Sequence, residues 1–313
     1  MKVFVTGVNG QLGYEVIREL TDRNIECVGS DIQDEFCKNE NVFYKDNDRD
    51  TGLFRYIKLD ITNKENVDEI IGSIRPDAII HPAGWTAVDA AEDPENVPKA
   101  FMVNETGTSN LALAAKKYDC KILFISTDYV FDGTGTEPWK PDCKDYNPVS
   151  VYGRSKLAGE KAIAETLERY FIVRISWAFG LNGNNFVRTM LRIAQNHDTV
   201  RVVNDQIGTP TYMRDLSVLL VDMIMTDKYG YYHASNEGGY ISWYDFTKEI
   251  FDQAGLNIKV LPVSTSEYGC SKAKRPMNSR LDKTKLTENG FSRLPDWKDA
   301  LRRYLEELKI SQI

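Results

Sequence analysis

The first 175 residues of this chain switch repeatedly between two hydrophobic periods. Short β-rich runs lie at residues 2–5, 26–30, 56–59, 78–81, 121–126 and 170–175, and amphipathic helical stretches at 11–23, 64–73, 104–118 and 151–169 fall between most of them. Strands alternating with helices require right-handed βαβ crossovers, which lay the strands parallel in a sheet covered on both faces. The expectation is an α/β fold, a Rossmann-type doubly wound parallel sheet built from residues 1–175. Residues 33–55 break the rhythm with polar and charged side chains and are predicted to be a mobile surface insertion between the second and third strands. After Ile175 the alternation decays. Helical patterns at 186–196, 216–226, 243–254 and 297–308 mix with short strands at 200–203, 231–234 and 259–261. Residues 176–313 are therefore expected to form mainly a smaller C-terminal substrate-binding lobe, with a soft boundary and some segments returning to the sheet.

Composition narrows the function classes. Thirty-nine basic residues against 46 acidic ones leave a formal charge of −7, which argues against nucleic acid or an anionic membrane as partner. The five cysteines are odd in number and form no Cys-x-x-Cys pair, the usage of reduced thiols in a cytoplasm. The N-terminus reads as a strand entering a glycine turn rather than a signal peptide. The apolar segment 216–225 is interrupted by Asp222 and is too short to span a bilayer. Three histidines, none spaced as a ligand pair, predict no zinc site.

The turn after the first strand reads Thr6-Gly7-Val8-Asn9-Gly10-Gln11-Leu12-Gly13. Gly7 allows a tight turn, Gly10 lets a diphosphate approach the backbone, and Gly13 lets the helix pack against the strand. The helix N-terminus then offers N–H groups and partial positive charge to phosphates. Glycines alone describe any strand-to-helix turn. Here a strand precedes, a helix follows, and Asp31 closes the second strand, where a carboxylate can bind both ribose hydroxyls of an adenosine. Asp31 would repel a 2′-phosphate and the turn carries no arginine, so the reading is NADH with NADPH possible; Arg49 and Arg55 in the insertion soften that preference. The spacing Gly-x-x-Gly-x-x-Gly resembles the extended short-chain dehydrogenase/reductase superfamily, whose members add a Tyr-x-x-x-Lys pair after the fifth strand and a Ser or Thr at that strand's end.

Three matches to Tyr-x-x-x-Lys occur: Tyr152/Lys156, Tyr244/Lys248 and Tyr268/Lys272. Only the first lies between the fifth strand, ending at Ser126-Thr127, and the sixth. The i, i+4 spacing puts both side chains on one helix face. The other two are read as packing or surface contacts. Reducing a ketone needs a hydride and a proton. Tyr152 is the candidate acid, Lys156 a cation expected to lower the phenol's pKa, and Thr127 a donor to the oxygen that becomes charged.

The segment Ile125-Ser126-Thr127-Asp128-Tyr129-Val130-Phe131-Asp132-Gly133 resembles the dTDP-4-dehydrorhamnose reductase family. So do Thr86-Ala87-Val88-Asp89, Arg174-Ile175-Ser176-Trp177, Gly183-Asn184-Asn185-Phe186, the run from Asn204 to Thr211, and Arg275-Pro276 through Leu281-Asp282. The resemblance runs nearly end to end, the insertion excepted. It implies NAD(P)H-dependent reduction of the 4-keto group of a sugar nucleotide, dTDP-4-dehydro-L-rhamnose to dTDP-L-rhamnose, in polysaccharide precursor synthesis. Carried over, Gly10, Gln11, Leu12, Asp31, Asp60, Ile61, Gly84, Trp85 and Thr86 would line the cofactor with Tyr152 and Lys156. Thr127, Asp128 and Trp177 would meet the sugar nucleotide. Some members hold magnesium at a dimer interface through carboxylates; Glu15 and Glu307 match two of these, but Arg214 replaces the third, so no metal is expected, and monomer and homodimer stay open.

Three other readings compete. Related 4,6-dehydratases carry Thr-Asp-Glu, whose glutamate abstracts a proton, whereas Tyr129 follows Thr127-Asp128 here. A sugar-nucleotide epimerase is an alternative that the motif blocks do not match. A non-catalytic binding subunit, resembling the regulatory β-subunit of methionine adenosyltransferase, is another. For the substrate's diphosphate, Lys272, Lys274, Arg275, Arg280, Lys283 and Lys285 form a basic cluster. It is either a solvated face or a phosphate site, with Arg275 the preferred contact.

Overall fold

The computed structural model describes residues 1–37, 52–269 and 271–310. Residues 38–51, most of the expected insertion and including Arg49, lie outside the described residues, as does Cys270. Six strands of a parallel sheet come from the first 175 residues: β1 (Lys2–Thr6), β2 (Glu26–Asp31), β3 (Phe54–Lys58), β4 (Ala78–His81), β5 (Lys121–Thr127) and β6 (Tyr170–Ile175). A seventh, β7 (Gly230–His233), pairs in parallel with β6. The order is β7-β6-β5-β4-β1-β2-β3, so the chain's winding reverses between β1 and β4. Ligands of open α/β sheets bind at such a reversal, beyond the carboxyl ends of the strands.

The inner strands are continuous apolar runs because helices cover both faces. Helix α1 (Gln11–Asp22) packs on one face and puts Leu12, Val16, Ile17 and Leu20 into a cluster with Leu216, Leu219, Leu220 and Met223. The latter belong to a helix at Met213–Ile224. On the opposite face lie α2 (Lys64–Ile74), α3 (Thr108–Lys117) and α4 (Val151–Thr166), contributing Val67, Ile71, Leu111, Ala115 and Ile163. The stretch expected to be one helix over 104–118 starts earlier, at Val97, and passes through a π-helical turn at Met102–Gly107 before α3. That widened turn puts Asn104 inside the protein.

Helices at Phe186–Ala194, Trp243–Ala254 and Trp297–Ile310 build a separate apolar cluster around Phe179, Phe246, Trp297 and Tyr304. Short strand pairs link this cluster to the sheet's carboxyl edge: Ala178–Phe179 with Thr211–Tyr212, and Ile207–Gly208 with Ile241–Ser242. Among the described residues no helix is long and apolar enough to cross a membrane.

Candidate active site

A cavity of about 700 Å³ opens at the carboxyl ends of β1, β2, β4, β5 and β6. Its first wall is the glycine turn. Gly7 has φ +63°, and a Cβ there would lie 2.8 Å from the Ala83 Cα. At Gly13 a Cβ would lie 2.2 Å from the Gly7 carbonyl oxygen, so only glycine lets α1 start this close to β1. Gly10, Gln11 and Leu12 line the cavity, and no side chain caps α1. An uncapped N-terminus facing a cavity is a ready anion site. These residues fit a dinucleotide diphosphate.

Asp31 stands at the end of β2 on the same cavity. Its Oδ2 accepts the Asn9 N–H at 3.0 Å, which ties the carboxylate to the glycine turn. The Asn9 side chain donates to Gln33 Oε1 and the Glu35 carbonyl oxygen, and accepts from the Cys37 N–H. The described start of the expected insertion is thereby folded over the Asp31 end of the cavity. Lys58 nearby is already paired with Asp34, at 2.6 Å. Asp60 and Ile61 after β3, and Gly84 and Thr86 after β4, complete this half.

The second half lies past β5. Ser150 caps α4 by accepting the Gly153 N–H, and the helix carries Tyr152 and Lys156 to the cavity beside Thr127 and Asp128. Burial pushes the Lys156 ammonium down to about 7, against the supporting charge of Glu160; its Nζ sits 4.0 Å from the Phe124 ring centre. Burial also raises Tyr152 above an ordinary phenol, partly offset by the Thr127 hydroxyl. Burial therefore sets the direction at Tyr152, opposite to the lowering expected from Lys156. Asp128 is lifted to about 6 by burial, held back by Ser279 and Thr127. Beneath the turn, His81 bridges Thr6 Oγ1 at 2.8 Å and Thr108 Oγ1 at 3.0 Å. Burial, with the Lys156 charge, holds this imidazole neutral.

Of the residues expected to line the cofactor or meet the sugar nucleotide, the cavity collects all but Trp85 and Arg275. The Trp85 indole donates to the Ala87 carbonyl oxygen at 3.1 Å. Arg275 donates to Asp89 Oδ2 at 2.6 Å, to the Tyr129 hydroxyl at 3.2 Å and to Ser271. Its charge is engaged in an ion pair that joins three segments. Tyr129, at the dehydratase glutamate's position, packs edge-on against Tyr152 with 5.5 Å between ring centres. Tyr244 and Tyr268 are not cavity residues.

Asn104 escaped the sequence reading. Buried at the π-helical turn, it accepts the Trp85 N–H at 2.8 Å and donates to the Trp85 carbonyl oxygen and to Ser155 Oγ. It thus pins the Gly84-Trp85 loop to α4 between Tyr152 and Lys156. Its only signal was a polar residue where a helix was expected to begin. Trp243 was missed as well; it lines the cavity beside Trp177. Trp177 has φ +50°, a left-handed conformation costing about 1–3 kcal/mol for a non-glycine residue.

Glu15 is fully buried, with its carboxyl lifted to about 7 by burial. Arg18 lies 3.6 Å from both Glu15 and Glu307, and Arg214 is 3.0 Å from Glu19 and from Asp22. Two guanidinium groups stand among these carboxylates, so the donor set does not fit a divalent cation.

The model of the RmlD substrate binding domain matches residues 1–310. The spore coat polysaccharide biosynthesis protein SpsK of Bacillus subtilis (strain 168) is 36% identical over 306 residues, covering 98% of this chain and 97% of that protein. A dTDP-4-dehydrorhamnose reductase of Aggregatibacter actinomycetemcomitans is 38% identical over 315 residues, covering 96% and 97%. The solved dTDP-4-dehydrorhamnose reductase of Clostridium acetobutylicum ATCC 824 aligns with a TM-score of 0.87 at 38% identity, covering 99% of this chain and 100% of that one. That of Bacillus anthracis str. Ames, solved in complex with NADP, gives 0.82 at 37% identity, covering 98% and 99%.

Proposed function

The chain belongs to the RmlD substrate binding domain family, and from that membership we propose that it reduces the 4-keto group of a sugar nucleotide, dTDP-4-dehydro-L-rhamnose to dTDP-L-rhamnose, with NAD(P)H. The observation that carries this reading is the meeting of the glycine turn, Asp31, Thr127, Tyr152 and Lys156 around one cavity. The dinucleotide, when bound, supplies the hydride. The turn and Asp31 hold its diphosphate and adenosine ribose. Thr127 donates a hydrogen bond to the oxygen on which charge develops, and Tyr152 gives that oxygen its proton, closing a balance of one hydride and one proton per carbonyl. A phenol is protonated at neutral pH and can give its proton as the alkoxide forms. Lys156 supports the phenolate that remains. Tyr129 stands where a dehydratase would need a carboxylate base, which favours reduction over elimination. The polysaccharide role named for SpsK fits a supplier of activated deoxysugar, and a cytoplasmic enzyme without nucleic-acid partners is part of the same reading.

The test is a panel of 4-keto sugar nucleotides on dTDP and UDP carriers, incubated with NADH or NADPH. Consumption of the dTDP-linked 6-deoxy-4-keto sugar, followed by loss of NAD(P)H absorbance, is expected. If no member is reduced, the reading fails and a binding-subunit role takes its place.

Cofactor choice gives a second expectation. The carboxylate of Asp31 accepts the Asn9 N–H, and facing the adenosine ribose it would repel a 2′-phosphate. Asp31→Ala should shift the ratio of kcat/KM values towards NADPH by tenfold or more. Wild-type preference for NADPH by tenfold, about 1.4 kcal/mol, would mean that Asp31 does not face the ribose.

A further inference from the structure

We propose that Trp243 is a positioning residue: it clamps the Trp177 indole, in its left-handed backbone conformation, as a fixed wall of the substrate end of the cavity. The proposal rests on the reductase reading for its substrate but on separate geometry. Trp177 and Trp243 are stacked with 3.8 Å between ring centres and 15° between planes. A Cβ built on Gly208 would lie 2.9 Å from Trp177 Cε2, so the backbone of Gly208 also lies against this indole. Trp177 is thus contacted by a glycine and by a second indole, and little beyond hydrogen fits at the glycine.

Both contacts are carried by one strand pair. Ile241 and Ser242 bridge Gly208 and Ile207 in antiparallel register, and Trp243 follows at once as the first residue of its helix. That helix start is fixed by a reciprocal cap, in which Ser242 accepts the Asp245 N–H and Asp245 accepts the Ser242 N–H. Phe186 backs the Trp243 ring at 4.4 Å. Trp177 itself sits just past β6, and its carbonyl oxygen accepts the Thr211 N–H. A left-handed tryptophan is unfavourable unless its surroundings over-determine it. The strand pair, the capped helix start and Phe186 do so here. Removing the Trp243 ring frees the Trp177 indole to leave the cavity wall, and a pocket that has lost a rigid aromatic wall binds its ligand less tightly.

The test compares Trp243→Ala and Trp243→Phe with wild type, and Tyr244→Phe as a neighbouring control. Stacked indoles give an exciton couplet in far-ultraviolet circular dichroism, which reads the clamp without any substrate. Trp243→Ala should lose the couplet and raise KM for the sugar nucleotide at least tenfold, with kcat falling by less and NADH affinity, followed by fluorescence, within about twofold. Trp243→Phe should lose the couplet but keep KM within a few-fold, because a phenyl ring still stacks. Tyr244→Phe should change neither quantity. In Trp243→Ala, a couplet that persists, or one that is lost with KM unchanged, overturns the proposal. If the wild type reduces no sugar nucleotide, the reductase reading fails; the clamp is then judged on the couplet and on whether Trp243→Ala weakens dTDP binding by calorimetry.

Discussion

Tyr152→Phe should lower kcat by about 10²–10⁴-fold, the worth of a positioned general acid, while NADH binding stays near wild type. The substitution removes one hydroxyl and leaves the ring, its edge-on contact with Tyr129 and the neighbouring cavity wall in place. Loss of turnover without loss of cofactor affinity is the pattern of an interaction made only in the transition state. Lys156→Met should do comparable damage and weaken NADH too, since its ammonium lies on the same wall. Tyr244 and Tyr268, which share the Tyr-x-x-x-Lys spacing but not the cavity, serve as internal controls; their phenylalanine variants should keep kcat within a few-fold. Turnover at saturating substrate and NADH fluorescence measure both quantities. Full activity in Tyr152→Phe would place the proton donor elsewhere.

The second large effect concerns stability. Arg174, fully buried on β6, donates to both carboxylate oxygens of Glu160 at 2.8 and 2.7 Å, to the Pro141 carbonyl oxygen and to the Tyr146 hydroxyl. Arg174→Met should cost about 3–5 kcal/mol, because it strands the Glu160 carboxylate in the interior. Most of that penalty comes from the orphaned charge, so adding Glu160→Leu should recover a large part of it. Complete recovery is not expected, since Pro141 and Tyr146 also lose their donor. Urea titrations of the two single variants and the double variant measure the coupling. Additive losses would show that the pair does not act as a unit.

The inner strands of the sheet were legible because each is long enough to show its period and is buried on both faces; β3, an edge strand with no fully buried residue, starts two residues before the run read at 56–59. β4 and β6 begin and end where the apolar runs do. The strand pairs at 178–179, 207–208, 211–212 and 241–242 were not legible, since two residues carry no period. Their absence hid Trp243, whose partner is set by register and not by sequence distance. The site showed the same division. Gly7, Asp31, Thr127, Tyr152 and Lys156 sit at the ends of predicted elements, so local order fixed their places. The Arg275 partner, Asp89, is 186 residues away, and a pattern of cations does not reveal which of them are already paired. Asn104 was hidden by the π-helical turn, which no propensity scale marks.

The seventh strand has a consequence for how the molecule comes into being. A ribosome delivers β1 to β6 long before Gly230 emerges. Until then β6 presents a row of unpaired backbone groups along an open edge, the kind of template on which nascent chains stick to one another. The outer face of α1 is bare over the same interval, because Leu216, Leu220 and Met223 have not arrived to cover it. A chain stopped at Ile175 would carry the whole glycine turn and the Tyr152/Lys156 pair, yet remain an adhesive half-product. Delivery of residues 213–233 pairs the β6 edge and covers α1.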